Sequence, residues 1–140
     1  MSTSDSVAGS GTAASAPVVV LAGRVLLSIL FILAGFGKLT SIAGTATFFG
    51  SIGLPMPTVT AIVVGLVEFL GGLAILVGFK TRIAAVVLAI FVLGATAVAH
   101  LDFSQPGNAL MLQKNLGLIG AFLFLAVLGA GRFSIDARRG

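Results

Sequence analysis

Four long apolar stretches, separated by short polar or Pro- and Gly-containing segments, dominate the pattern of this chain. The apolar positions predict helices at about residues 17–38, 58–79, 83–100 and 109–130. Each stretch is close to the roughly 20 residues that a helix needs to cross a hydrocarbon core of about 30 Å. Because a three-residue segment separates the second stretch from the third, these two must form a tight antiparallel hairpin. The pattern therefore predicts an all-α fold, an integral membrane four-helix antiparallel bundle.

Composition supports a membrane protein and excludes several other classes. Apolar residues make up 58% of the 140-residue chain and charged residues 9%, against about a quarter charged in soluble domains. The net charge is +4, but the basic residues are scattered and Phe is the sole aromatic type, so we expect no nucleic-acid surface. With one histidine and no cysteine, we expect neither haem nor a metal ion.

The segments outside the helices suggest the domain limits and the orientation. Residues 1–16 are rich in Ser, Gly, Ala and Thr and predict a disordered N-terminal tail, residues 17–131 form the transmembrane domain, and residues 132–140 form a basic C-tail. One side of the bundle would carry Lys80, Arg82, Arg132, Arg138 and Arg139, and the other side Lys38 and Lys114. The positive-inside rule then predicts a multi-pass protein of the cell inner membrane with both termini cytoplasmic (N-in/C-in).

Glu68 is the charged residue that the pattern places deepest in the bilayer. An ionised carboxylate near the midplane costs at least ~2.5 kcal/mol, so Glu68 must be paired, protonated or hydrated. Arg24 from the inner side and Lys114 from the outer side could each reach it, and the spacing leaves both partners open. Glu68 either forms a buried ion pair that sets the helix packing, or handles protons and binds the polar head of a lipid-soluble ligand.

Further polar residues gather at the predicted outer ends of the helices. They are Lys38, His100, Asp102, Lys114 and Asn115. His100 titrates near neutral pH and is a candidate for exchanging protons with water outside, although a histidine there is also an ordinary helix end. Between helices 1 and 2, residues 40–57 contain a short amphipathic piece with Phe48 and Phe49. It either anchors the loop in the headgroups or covers a cavity between the helices.

Six short motifs resemble those of one family in their order and spacing. They are GRVLLSILFILAGFGKL at 23–39, FFGSIGLP at 48–55, VEFLGGLAILVGFKTR at 67–82, AVAHLDF at 97–103, KNLGLIGAFL at 114–123 and GAGRFSIDA at 129–137. Over residues 20–137 the chain thus resembles the DoxX family of small four-helix membrane proteins. By position, the family's polar residues correspond to Arg24, Glu68, His100, Lys114 and Asn115.

The resemblance implies quinone-linked oxidoreduction, because some relatives look like subunits of thiosulfate:quinone oxidoreductase or of a terminal quinol oxidase, and others are associated with resistance to quinones or oxidative stress. On this interpretation Glu68 and His100 are the catalytic proton acceptors. A quinone held between the helices would be the cofactor, bound by Arg24, Lys114 and Asn115. Because the chain has no electron carrier of its own, electrons must come from a soluble redox partner or a reduced substrate.

Two other functions stay open. The chain could be a non-catalytic membrane scaffold that docks a soluble partner enzyme through its basic C-tail. It could also be a small proton-coupled transporter, for which a homodimer would supply the missing half of the pathway.

Overall fold

The computed structural model describes the backbone of residues 3–139 and the side chains of residues 15–139, and this part of the chain is helical with short connections. The helices are α1 (Thr3–Thr40), α2 (Ile42–Ser51), α3 (Pro57–Val77), α4 (Thr81–Ala99), α5 (Asn108–Leu128) and α6 (Ile135–Arg139). Four segments are long and apolar enough to cross a membrane: Ser15–Thr40 of α1, and all of α3, α4 and α5. The predicted all-α fold with four spans is confirmed, and the predicted span ends lie one or two residues from the observed ones.

The N-terminal segment differs from its predicted state. We expect residues 1–16 to be a disordered tail, but the backbone of residues 3–16 continues helix α1. This stretch has no proline to interrupt the helix and contains four alanines, the residue with the highest helix propensity. Pro17 lies inside α1 and removes one backbone hydrogen bond there. Residues 1 and 2 of the predicted tail lie outside the described residues.

The bundle has two unlike halves along its axis. The terminal half, which we define as the end with α6 and the α3–α4 turn, is filled by apolar side chains. Its core includes Phe31, Ile75, Leu88, Phe122 and Leu125. The Phe31 and Phe122 rings meet edge to face with centroids 5.2 Å apart. The distal half, with α2 and the α4–α5 loop, contains a cavity instead.

Glycines bring the backbones of α1 and α3 into contact. A Cβ atom on Gly35 would lie 2.5 Å from the backbone nitrogen of Phe69 and 2.7 Å from the carbonyl oxygen of Gly65. A Cβ on Gly72 would lie 3.0 Å from the backbone nitrogen of Ile32. Residues with a side chain at these positions would push the two helices apart. This close approach sets the level at which the end of α1 meets α3.

The C-terminal segment is packed against the bundle. The carboxylate of Asp136 accepts hydrogen bonds from the backbone N–H groups of Lys80 (2.6 Å) and Thr81 (2.9 Å). It therefore caps the N-terminus of α4 from a distant part of the chain. The backbone N–H of Asp136 also donates to the Gly78 carbonyl at 2.8 Å. Residues 132–139 are basic, as expected, but they are held on the α3–α4 turn.

Candidate functional site

A cavity of about 480 Å³ lies in the distal half among α1, α3, α4 and α5, with α2 beside it. Its volume falls in the range of small-molecule sites, about 300–1,000 Å³. Most of its wall is apolar, and the polar residues on it are Lys38, Thr60, Glu68, His100, Lys114 and Asn115. The structure thus brings together four of the five predicted site residues: Glu68, His100, Lys114 and Asn115.

Glu68 forms its ion pair with Lys38. The Lys38 Nζ atom lies 2.7 Å from Glu68 Oε1, and the Glu68 side chain is almost completely buried. At this distance the ammonium and the carboxylate are in direct contact, and no other donor among the described residues bonds to Oε1. The sequence left Arg24 and Lys114 open as partners of Glu68. The structure corrects this expectation, because the partner is Lys38. A buried carboxylate oxygen remains able to accept a hydrogen bond from a ligand.

The sequence does not identify Lys38 as the partner of Glu68. Residue depth along each helix predicts partners correctly only if all helices end at the same level in the membrane. In the structure Gly35 packs at the level of Phe69 and Gly65, and a Cβ on Gly65 would lie 3.4 Å from the Lys38 Cβ atom. Lys38 is thus about one helical turn from Glu68, although α3 continues outward to Pro57. Gly35, one turn before the lysine, makes the contact that sets this offset, but nothing in the sequence distinguishes it from Gly23 or Gly37, where a Cβ would meet nothing within 4 Å.

Arg24 lies outside the cavity, in the terminal half. Its buried guanidinium donates to four backbone carbonyl oxygens, those of Ile75 (3.0 Å), Leu76, Ala130 and Phe133 (2.8 Å each). Helix C-termini leave carbonyls without partners, and a cation is favourable there. Arg24 therefore joins the end of α3 to the segment after α5. This position gives it a structural role in place of the predicted contact with a ligand.

His100 is held by the α4–α5 loop at the distal end of the cavity. Its Nδ1 atom lies 3.1 Å from Asn108 Oδ1, and Asn108 Nδ2 donates to the Asp102 carbonyl at 2.8 Å. Since Nδ2 is the donor of the amide, Oδ1 is the acceptor that faces the ring, so Nδ1 carries the hydrogen. The Nε2 atom of His100 is then free to take up a proton.

Other polar groups complete the distal end. Asn115 is buried and donates from Nδ2 to the Thr96 hydroxyl at 2.8 Å, which links α5 to α4. Lys114 is exposed beside it. Hydrogen bonds from the Ser104 hydroxyl and backbone N–H lower the pKa of Asp102 in the loop. Asp102 is therefore an ionised carboxylate that shapes the loop around His100.

Helix α2 lies over the cavity. It packs against α3, with Phe49 buried and Phe48 exposed, and both residues line the cavity together with Ile52 and Leu54. Of the two interpretations of residues 40–57, the structure favours a cover over the cavity. An apolar cover lowers the polarity around the buried Glu68 carboxylate, while the Lys38 side chain stays 28% exposed.

The cavity opens through side chains that belong to the membrane spans. Leu30 on α1 and Ile90 and Val98 on α4 line it and are 39%, 65% and 53% exposed. In a bilayer these exposed apolar positions face lipid, because their helices are spans. The cavity therefore borders the lipid-facing surface of α1 and α4.

Four antiparallel spans around a polar pair in an apolar cavity define a small multi-pass membrane protein with an internal cavity. The DoxX family model matches residues 19–101, and the chain belongs to this family. It is 45% identical over 119 residues to the inner membrane protein YqjF of Escherichia coli (strain K12), covering 85% of this chain and 90% of that protein.

Two other relatives cover similar shares of the chain. The inner membrane protein YphA of the same organism is 35% identical over 130 residues, covering 89% of this chain and 93% of that protein. A protein of Bacillus subtilis (strain 168) named "Putative oxidoreductase CatD" is 36% identical over 113 residues, covering 81% of each chain. No solved structure is a significant match.

Proposed function

We propose that the protein is a component of a quinone-linked oxidoreductase or oxidative-stress system of the inner membrane, and that it binds a quinone in the distal cavity. The observation that carries the proposal is the buried Glu68–Lys38 pair on the wall of an apolar cavity that opens to lipid. The name of the Bacillus relative supports the assignment to the oxidoreductases. The choice of a quinone comes from the resemblance to the DoxX family, and the apolar cavity with its few polar groups is compatible with it.

The residues present fit a quinone, which is an apolar ring with two carbonyl oxygens on a lipid-soluble tail. The apolar wall accommodates the ring, and the donors Lys38, Lys114 and Asn115 suit its oxygens. Glu68 Oε1, to which no donor besides Lys38 bonds among the described residues, suits a hydroxyl of the reduced form. When bound, a quinone would supply reversible two-electron, two-proton chemistry that the side chains lack.

The chain's own groups would handle the protons. Glu68 would take up a proton from the ligand at its carboxylate, and Lys38 at 2.7 Å is the counter-ion of the ionised form. His100 exchanges protons with water at the distal end through its free Nε2 atom. Helix α2 and the apolar wall limit the access of water to the Glu68 carboxylate. Electrons come from a soluble redox partner or a reduced substrate.

The orientation completes this proposal. The terminal half carries the exposed residues Lys80, Arg82, Arg138 and Arg139. Basic residues are retained in the cytoplasm, so both termini lie inside and His100 faces the external compartment. Protons taken up or released at His100 would then be exchanged with that compartment.

The test is mass spectrometry of protein purified from native membranes in mild detergent, which identifies both lipid-soluble ligands and protein partners. We expect about one quinone per chain, lost in Glu68→Gln and in Ala95→Leu, which fills the cavity. Ala121→Leu is the matched control, because Ala121 is exposed on α5 and is not part of the cavity wall. Wild-type protein without quinone, or equal quinone in all variants, would contradict the proposal.

A non-catalytic scaffold is the second candidate, and the packing of α6 favours it. Asp136 holds this helix on the α3–α4 turn, so Arg138 and Arg139 are presented on an ordered surface. An acidic surface of a soluble enzyme would complement them. The same measurement distinguishes the candidates, since a constant soluble partner without quinone supports the scaffold.

A further inference from the structure

Lys38 has surroundings unlike those of the other two lysines. Lys80 and Lys114 are exposed, whereas the Lys38 side chain is 28% exposed and its ammonium group faces a buried carboxylate. Lys38 also lies on the wall of the apolar cavity. A lysine in a hydrophobic pocket is a usual nucleophile toward carbonyl compounds. Its uncharged amine has a lone pair that attacks the carbonyl carbon, and the product is a Schiff base.

We propose that Lys38 binds lipid-soluble aldehydes by condensing with them to a reversible imine, with Glu68 as proton acceptor and counter-ion. This activity goes beyond quinone binding and does not depend on it, although both use the distal cavity. The aldehyde would enter laterally from lipid past Leu30, Ile90 and Val98, with its apolar chain against the cavity wall.

The chemistry needs no group beyond these residues and the aldehyde. Glu68 Oε1, 2.7 Å from Nζ, takes a proton from the Lys38 ammonium and frees the amine. Nζ attacks the carbonyl carbon, a C–N bond forms and the C=O double bond opens, and one proton then moves from the now positively charged Nζ to the oxygen to give a carbinolamine. The protonated Glu68 returns its proton to this hydroxyl, water leaves, and a C=N bond forms. The products are an iminium cation and one water molecule, so nothing is oxidised or reduced.

The surroundings favour the imine once it has formed. Water hydrolyses imines, and the cavity wall and α2 limit its access to Nζ. The iminium group stays positively charged, and the Glu68 carboxylate pairs with it as with the ammonium. Among the described residues Lys38 is the one cation paired with Glu68, so no other cation competes with the iminium for this carboxylate. An imine on the exposed Lys80 or Lys114 would lack this protection.

The experiment is reductive trapping. Purified full-length protein in detergent is incubated with decanal and cyanoborohydride, which reduces an imine to a stable secondary amine, and peptide mass spectrometry locates the label. We expect Lys38 to be labelled roughly tenfold faster than Lys80 and Lys114. Lys38→Arg should remove this site and leave labelling at the other two lysines unchanged.

Two further variants distinguish the role of Glu68 as the base from the role of the cavity as the binding site. Glu68→Gln should slow labelling at Lys38 roughly tenfold, since no carboxylate accepts its proton. Ala95→Leu keeps the ion pair and narrows the cavity, so it should slow labelling as well, whereas Ala121→Leu should not. Equal labelling of all three lysines, or labelling at Lys38 that neither variant slows, would overturn the proposal. The readout is a label on Lys38 and not co-purified quinone, so labelling of protein that carries no quinone distinguishes a failure of this proposal from a failure of quinone binding.

Discussion

Lys38 Nζ on α1 and Glu68 Oε1 on α3 lie 2.7 Å apart, on the two helices whose backbones approach through Gly35. The pair therefore belongs to the cavity and to the α1–α3 interface at once. A change in how these helices pack would move the charges, and a change in the charges would strain the packing. This coupling leads to the first two predictions.

Removing one charge of the pair should destabilise the protein more than removing both. Lys38→Met or Glu68→Leu leaves an uncompensated charge in an apolar wall, and we expect each to cost about 2 kcal/mol, since Lys38 is partly exposed. The double variant should recover most of this loss, because two apolar side chains can replace a buried ion pair. Unfolding in detergent measures the effect. A double variant less stable than either single variant would contradict the coupling.

Gly35→Ala should disturb the cavity from a position outside it. The new Cβ atom would lie 2.5 Å from the backbone nitrogen of Phe69, so α1 and α3 must separate, at a cost of about 1–3 kcal/mol. Gly37→Ala is the matched control, because a Cβ there meets nothing within 4 Å. Unfolding in detergent should show the loss for Gly35→Ala alone. Equal stability of the two variants would mean that the helices are not held by this contact.

Arg24→Lys should destabilise the protein strongly despite keeping the charge. A lysine cannot reproduce the guanidinium fork that reaches Ile75, Leu76, Ala130 and Phe133, and hydrogen bonds to a charged group contribute about 1.5–3 kcal/mol each. We expect a loss of at least about 3 kcal/mol. Arg138→Lys on the exposed α6 should change little. Both stabilities are measurable by unfolding in detergent, and equal values would argue against this role of Arg24.

The sequence predicts the four spans well, because span length and apolar content follow directly from the thickness of the bilayer. It also identifies Glu68, since a carboxylate at mid-span must have a partner or a function. The position of a residue along its own helix, relative to the bilayer midplane, can thus be predicted from the sequence. How two helices are offset along the bundle axis cannot, because it depends on the close contact at Gly35.

This offset brings Lys38, and neither Arg24 nor Lys114, beside Glu68. The Arg24 side chain is buried, as that of Glu68 is, but its partners are backbone carbonyls at helix ends. Every residue type has such a carbonyl, so no sequence motif identifies these partners. Asp136 is similar, since it caps α4 from 55 residues further along the chain. Such long-range contacts between a side chain and the backbone require the fold to be known.

Acid should release the C-terminal segment. Burial raises the pKa of Asp136, but hydrogen bonds from Thr81 and Lys80 and the charge of Arg139 outweigh it, so the pKa of Asp136 lies below its ordinary value. Its contribution to stability is therefore present above the unfolded-state pKa of about 3.9 and is lost as the pH falls through the lower folded value. The backbone amide NMR signals of Lys80 and Thr81 should titrate in this acid range.

Asp136→Asn should abolish that titration and cost about 1 kcal/mol as a weakened cap. Asp102→Asn is the control, because Asp102 also has a lowered pKa but lies in the α4–α5 loop, away from these amides. Amide signals that titrate equally in the Asp136→Asn variant would show that another group controls the segment.

His100 should exist as the tautomer with hydrogen on Nδ1 when it is neutral. The Asn108 amide is oriented by its bond to the Asp102 carbonyl, which leaves Oδ1 as the acceptor for Nδ1–H. Nitrogen NMR of labelled His100 in nanodiscs, at an alkaline pH where the ring is neutral, should show a protonated Nδ1 and an unprotonated Nε2. Asn108→Ala removes the acceptor and should shift the population toward the Nε2–H tautomer, which leaves no basic nitrogen at Nε2.

Asn115→Ala is the matched control for this prediction, since Asn115 also lines the cavity but bonds to Thr96. It should leave the His100 tautomer unchanged. If Asn108→Ala also leaves the nitrogen signals unchanged, the loop does not set the tautomer, and His100 loses the feature that suits it for proton exchange at the distal end. If the tautomer shifts and any proton-coupled activity falls with it, Asn108 is a positioning residue for His100.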